Sequence, residues 1–268
     1  NNKIRETFKI KDMKTTTPIV VIMLFIGGLL CPEVKAQNPD ELFIKANELY
    51  NQNAYDSAVI VYESIVNKGY SSPELYYNLG NTYYKIRNYP KAIYYYEKSL
   101  KLDPNNEDTK HNIEIAKAFI SDKIEPVPEI FIKTWWNNFS NLFTLKTWSI
   151  ISLIVTGFLL LSLFLYLTAR TRILKKSMFF LCITLILLTI ITFSITTKKY
   201  NYLRSNNEGI IVSPTITVKS SPSSSSVDLF VLHEGSKVKI LDKTGEWEKI
   251  KIANGSVGWL PSSTIIKY

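Results

Sequence analysis

The sequence predicts a multidomain membrane protein with three parts in chain order: an all-α helical repeat array, a two-helix transmembrane hairpin and a small all-β barrel. Three observations predict it. Two charge-free apolar runs, Ser149 to Ala169 and Ser177 to Thr197, are separated by a short basic stretch holding Arg170, Arg172, Lys175 and Lys176. The segment Pro39 to Ser72 slides forward onto Pro73 to Asn106 without a gap, a period of 34 residues. From Gly209 the pattern changes to short β-rich runs broken by turn residues.

At the amino end, Met13 and Lys14 precede the apolar run Ile19 to Leu30, and Val34-Lys35-Ala36-Gln37 follows it after Cys31-Pro32-Glu33. A basic start, a short apolar core and small residues at Val34 and Ala36 are the pattern of a signal peptide cleaved after Ala36. The alternative is an uncleaved anchor, for which the run is short. Either reading exports the segment from Gln37 to the first apolar span. Residues 1–36 are therefore assigned to an N-terminal extension and signal segment, with no fold given to Asn1 to Asp12. Cys31 is preceded by Leu30 instead of a small residue, which argues against a lipidation site.

Residues 37–125 are read as the repeat domain, with copies at 39–72 and 73–106 and a capping helix at 107–122. Ala46 falls on Gly80, Asn47 on Asn81, Tyr50 on Tyr84, Tyr55 on Tyr89, Ala58 on Ala92 and Tyr62 on Tyr96. Small residues recur where helices must touch, and large ones where a side chain fills the neighbour's groove. The second copy, with Leu75-Tyr76-Tyr77-Asn78-Leu79-Gly80-Asn81, Tyr89, Ala92, Tyr96 and a closing Leu102-Asp103-Pro104, is close to the tetratricopeptide pattern. The first copy has Lys45 for the expected leucine and Tyr70 for the terminal proline. The inner helix face is expected to present Phe43, Asn47, Tyr50, Tyr77, Asn81, Tyr84, Lys85 and, from the cap, His111 as a partner-binding groove. Some tetratricopeptide proteins clamp a terminal carboxylate with lysine and arginine. Here Phe43, Asp108 and Asn112 stand where those cations would be, so an aromatic, amide-rich groove for an extended segment or a helix is expected instead.

Residues 126–148 read as a proline linker and a Trp-rich segment in which Trp135, Trp136 and Trp148 anchor an interfacial helix at the lipid headgroups. Transmembrane helices come next at 149–169 and 177–197, with a basic turn at 170–176. At about 1.5 Å per residue each run spans roughly 30 Å, the depth of a bilayer's hydrocarbon core. A hairpin returns the chain to its starting side. The signal pattern then places both soluble parts outside the cytoplasm, in the periplasm of a Gram-negative cell, and the basic turn inside.

Residues 209–268 form the last predicted module. Ile216-Thr217-Val218-Lys219, Leu232-His233-Glu234-Gly235, Gly245-Glu246-Trp247-Glu248-Lys249-Ile250 and Gly258-Trp259-Leu260 resemble, in order, the strands and turns of bacterial SH3-like domains. His233 reads as a solvated residue beside a turn, and Trp247 and Trp259 as core aromatics or exposed ones. That resemblance implies binding of wall peptides or protein segments.

The formal net charge of +9 sits largely in the extension, the signal region and the membrane turn. No basic stripe with interleaved aromatics occurs in either soluble part, so nucleic acid is not expected as a partner. Cys31 and Cys182 suggest no disulfide, and no nucleophile, phosphate loop or metal-ligand cluster is evident, so neither catalysis nor a cofactor is expected. The order of modules resembles the BatE family of the Bacteroides aerotolerance operon. That resemblance implies an inner-membrane scaffold for oxygen or envelope stress tolerance, with von Willebrand A-domain membrane proteins and other members of a Bat complex as partners. The alternative is a peptidoglycan-binding anchor acting through the SH3-like module.

Overall fold

A computed structural model describes residues 38–128 and 130–268; the signal segment, its cleavage position and Cys31 lie outside the described residues. The chain divides into two units, Asn1–Glu41 and Leu42–Tyr268, and the second holds nearly all of the described structure.

Two helical hairpins come first: α1 (Pro39–Asn51) with α2 (Tyr55–Asn67), and α3 (Pro73–Lys85) with α4 (Tyr89–Leu102). The starts of α3 and α4 lie one sequence period beyond those of α1 and α2. Each of the second pair begins where local chemistry favours it. The Ser72 hydroxyl accepts the Leu75 N–H and the Asn88 side chain accepts the Lys91 N–H, each with a proline in the first helical turn. The turns inside the hairpins are also copies. Asn53 and Arg87 both adopt φ 60° and close their helices with the same pair of backbone hydrogen bonds. α5 (Glu107–Lys117), capped by Asn106, covers the end of the array and is shorter than the expected 107–122.

The helices meet over Ala46, Ala58, Tyr62, Leu79, Ala92, Ile93 and Tyr96, all nearly or fully buried. Gly80 is small for a reason visible in the packing: a Cβ there would lie 2.5 Å from the Tyr96 ring.

α6 (Phe131–Asn141) is amphipathic and turns into α7 (Leu145–Thr168), after which comes α8 (Arg172–Arg204). α7 and α8 pack as a hairpin and, among the described residues, are the two helices long and apolar enough to cross a membrane. The helices outrun the apolar runs: α7 starts at Leu145, not Ser149, and α8 extends to Arg204. The expected turn at 170–176 shrinks to Ala169-Arg170-Thr171, because the Thr171 hydroxyl caps a helix that already includes Arg172, Lys175 and Lys176. Between α7 and α8, Ser162 and Cys182 touch at 3.1 Å, a packing contact in an otherwise apolar seam.

The C-terminal part is one antiparallel sheet of seven strands, in the order β3-β2-β6-β5-β4-β1-β7. The strands are β1 (Glu208–Ile211), β2 (Thr215–Lys219), β3 (Asp228–His233), β4 (Lys237–Thr244), β5 (Trp247–Lys251), β6 (Val257–Pro261) and β7 (Ile265–Lys267). Its buried face gathers Ile211, Val218, Leu232, Val238, Ile250 and Leu260. β7 is not predicted by the sequence pattern; it pairs with β1, in the register Ile210 with Ile266. Glu248 also points inward with 0% exposure, and its carboxylate is ion-paired to the Lys267 ammonium of β7.

The repeat array and the sheet share a core. Ile210 and Tyr268 are buried among the array's residues, and the Tyr94 hydroxyl donates to the Lys267 carbonyl at 3.3 Å. Lys237 of β4 reaches Glu97 of α4 at 2.7 Å and Glu208 at 3.7 Å. Beyond α5, Ile120 lies against Gly235 and Ile124 packs on the sheet's core.

Candidate functional site

The site is built from repetition. Asn47 of α1 and Asn81 of α3 occupy equivalent positions, and so do Asn78 of α3 and Asn112 of α5. In the first set, the Tyr62 hydroxyl donates to Asn47 Oδ1 at 2.5 Å and Asn78 Nδ2 donates to the same oxygen at 3.0 Å. In the second, Tyr96 donates to Asn81 Oδ1 at 2.7 Å and Asn112 Nδ2 donates to it at 2.9 Å. The two triads are therefore copies of one hydrogen-bonded unit. Asn112 Nδ2 also reaches the Tyr77 hydroxyl at 3.3 Å.

Two hollows open over these triads, and Tyr50 and Asn81 line both. One, of about 290 Å³, is bounded by Asn47, Tyr50, Asn51, Tyr62, Asn78 and Asn81. The other, of about 280 Å³, is bounded by Tyr50, Asn81, Tyr84, Lys85, Tyr96, Asn112 and Ile115. At the far end Phe119 stacks on Tyr89 at 4.5 Å and meets Tyr84 edge-on.

The electrostatics of the groove are nearly neutral. Burial pushes the Tyr62 hydroxyl up to about 12, with the Asn78 amide opposing, and burial and neighbouring phenols push Tyr96 higher still. Burial likewise raises Tyr50. These phenols stay protonated throughout the neutral range, which keeps Tyr62 and Tyr96 as donors to the asparagines. Among the described residues, Lys85 is the one cation on the lining.

Of the expected groove residues, the structure brings together Asn47, Tyr50, Asn81, Tyr84 and Lys85, with Tyr77 adjacent. Phe43 lies to one side, its ring 6.0 Å from that of Tyr62. His111 is exposed on α5 and lines neither hollow. Asn78, Asn112, Tyr62 and Tyr96 belong to the site although the expected set omits them. Their signal is present in the sequence, since Asn78 and Asn112 are separated by the same period as Asn47 and Asn81.

Among the tryptophans, Trp135 is 57% exposed on α6, beside exposed Phe131 and Ile132. Trp148 differs from expectation. It is only 4% exposed, its indole N–H donates to the Ser140 carbonyl at 2.9 Å, and Phe139 and Phe143 pack on it. It braces the corner between α6 and α7 instead of facing lipid. Trp136 is half-buried beside Phe139.

On the sheet, His233 is not merely solvated: its ring Nδ1 is 2.7 Å from Asp122 Oδ1. Trp247 and Trp259 are half-exposed on β5 and β6, with Lys249 paired across from Trp259 and its ammonium 5.9 Å from that ring. Among the described residues, no three His, Cys, Asp or Glu side chains come together as a metal site.

Residues 73–106 match the tetratricopeptide repeat family, and residues 214–266 match the bacterial SH3 domain family. No curated protein matches the chain. The first match covers the second helical hairpin; the hairpin before it has helices at the same spacing and the same turn. The chain thus carries a tetratricopeptide repeat and a bacterial SH3 domain joined by helices of membrane-spanning length.

Proposed function

We propose that the protein is an inner-membrane, periplasm-facing adapter that holds a partner segment in its tetratricopeptide groove, as a member of a Bat-type complex for aerotolerance or envelope stress. The observation that carries the interaction reading is the pair of neighbouring hollows over the two Tyr-Asn-Asn triads, on a repeat type used for protein–protein contacts. The apolar helices α7 and α8 support a membrane tether, and the signal pattern supports the orientation. Exposed Trp135, Phe131 and Ile132 support contact of α6 with the headgroup layer. The assignment of von Willebrand A-domain membrane proteins as partners rests on the resemblance in module order.

The test is crosslinking in native membranes from a photoreactive residue at Tyr84. Recovery of von Willebrand A-domain proteins, abolished by alanine at Tyr77 and Asn81, supports the adapter. Recovery of no specific protein overturns it.

A second reading has its own observation. The half-exposed Trp247 and Trp259 with Lys249 form an aromatic and basic face, suited to stacking on sugar rings and pairing with carboxylates of a peptidoglycan strand. Retention of the detergent-solubilised full chain on purified sacculi, lost on Trp259→Ala, supports that anchor role. The full chain is the right probe, because Ile210 and Tyr268 are buried against the array.

A further inference from the structure

We infer that the array-side end of the transmembrane hairpin selects anionic phospholipids over zwitterionic ones. The inference rests on the membrane reading of α6, α7 and α8 and names the lipid they meet.

Residues 130–207 hold nine lysines and arginines and no aspartate or glutamate. Four of the nine, Arg170, Arg172, Lys175 and Lys176, lie where α7 turns into α8. The other five, Lys133, Lys146, Lys198, Lys199 and Arg204, lie beyond the opposite ends of the apolar runs. Lysine and arginine concentrate in cytoplasmic loops. With both soluble parts outside the cytoplasm, cations at the array-side end run against that bias, so topology supplies no reason for them.

Their level in the bilayer is that of the lipid phosphates. At about 1.5 Å per residue, Lys146 precedes the apolar run at Ser149 by roughly 4–5 Å, and Lys198 and Lys199 follow Thr197 within about 3 Å. The headgroup layer is about 5–7 Å deep on each side of the hydrocarbon core, so these three side chains leave the helices inside it. Lys199 donates to Asn141 Oδ1 at 3.1 Å, which fixes its ammonium against the end of α6, and Asn105 of the array donates to the carbonyl of the same Asn141 at 2.7 Å.

The charge is not neutralised from within. Among the described residues, none of Lys146, Lys198, Lys199 and Arg204 belongs to an ion pair. Lys199 has only an uncharged amide, Arg204 donates to the Tyr200 hydroxyl at 2.6 Å, and Lys146 and Lys198 are exposed. Phe131, Ile132, Trp135, Leu142 and Phe143 are exposed on α6 and its turn into α7. An acidic soluble protein would pair the cations and leave those apolar side chains without acyl chains to enter. A phospholipid supplies both, hydrocarbon for the rings and a phosphodiester for the ammonium groups. A zwitterionic headgroup pairs its phosphate with its own cation, whereas an anionic one brings a net negative charge to the belt.

The test is photo-crosslinking from a photoreactive residue at Leu142, which is 58% exposed beside Asn141. The full chain is reconstituted in vesicles of equimolar phosphatidylglycerol and phosphatidylcholine with identical acyl chains, and mass spectrometry reads the ratio of the two lipid adducts. The ratio should favour phosphatidylglycerol by at least about threefold and fall toward one as salt is raised, because added ions screen the headgroups. It should also approach one in Lys146→Gln/Lys198→Gln/Lys199→Gln. Arg172→Gln/Lys175→Gln/Lys176→Gln, which removes three cations from the other end, should leave it unchanged. A ratio near one in the wild type, a preference indifferent to salt, or one that survives the first triple variant would overturn the inference. The salt series uses the wild-type chain, so it does not depend on any variant folding. Lipid adducts formed without preference leave the membrane contact of α6 standing and remove this inference alone, whereas a lack of any lipid adduct removes both.

Discussion

The carboxylate of Asp122 holds His233 at two points, accepting the backbone N–H and contacting the ring Nδ1, each at 2.7 Å, while Ser236 donates to it at 2.6 Å. Asp122 lies just beyond the last array helix and His233 ends β3, so this contact fastens the repeat array to the SH3 domain. With the Glu97–Lys237 pair, it makes the two modules one body instead of two beads on a string.

The acid dependence of that fastening has a definite sign. Burial alone would push the Asp122 carboxyl up, but hydrogen bonds from Ser236 and His233 outweigh it and leave the group below its ordinary value of 3.8. A carboxyl held low contributes stability that is complete above the ordinary value and is lost as pH falls through the folded value. Asp122→Asn should therefore lower stability at pH 7 by about 1.5–3 kcal/mol. The gap between wild type and variant should close as pH falls below about 4. Thermal melts across that range check this; a gap that persists undiminished into strong acid would refute it.

The pair of fully buried Glu248 and partly exposed Lys267 should respond asymmetrically. Lys267→Met leaves a carboxylate with 0% exposure uncompensated and should cost about 3–5 kcal/mol. Glu248→Leu combined with Lys267→Met should recover most of that loss, since the desolvated carboxylate is gone. Denaturant midpoints of the single and double variants decide it.

Gly80→Ala sets two effects against each other. Helix propensity favours alanine by about 1 kcal/mol. The new methyl would meet the Tyr96 ring at 2.5 Å, and that ring is fixed by the core and by its bond to Asn81. Overpacking costs about 1–3 kcal/mol, so net destabilisation is expected. A variant melting above wild type would show that the Tyr96 ring yields easily.

Arg87 sits at φ 60° in the turn between α3 and α4, the position that asparagine fills in the preceding repeat. The left-handed conformation costs most residues about 1–2 kcal/mol, and asparagine tolerates it better. Arg87→Asn should raise stability by about 0.5–1 kcal/mol. Unchanged or lower melting would mean that the arginine side chain contributes contacts of its own.

Much of the architecture is legible in the sequence because it rests on local repetition. Helix starts are signalled by Ser72-Pro73 and Asn88-Tyr89-Pro90, and the repeat period alone sets Asn47 over Asn81. Boundaries are less legible where helix capping overrides hydropathy: Thr144 and Thr171 start helices several residues before the charge-free runs begin. Strand β7 escapes the pattern because three residues carry too little of it, and only pairing with β1 defines the strand. Half of the groove escapes a reading of the first-helix face alone. Tyr62 and Tyr96 come from the second helices and enter the site by hydrogen bonding across the hairpin.

By itself, the sequence determined the order of modules, the 34-residue period and the two long apolar helices, since these depend on spacing and composition along the chain. Tertiary structure alone decided that Trp148 is a brace, that His233 is held by Asp122, and that Tyr268 is buried beside Tyr94. Those contacts join residues that no local pattern relates. Their energies depend on which surfaces are brought together and freed of water, and a linear pattern does not encode that pairing.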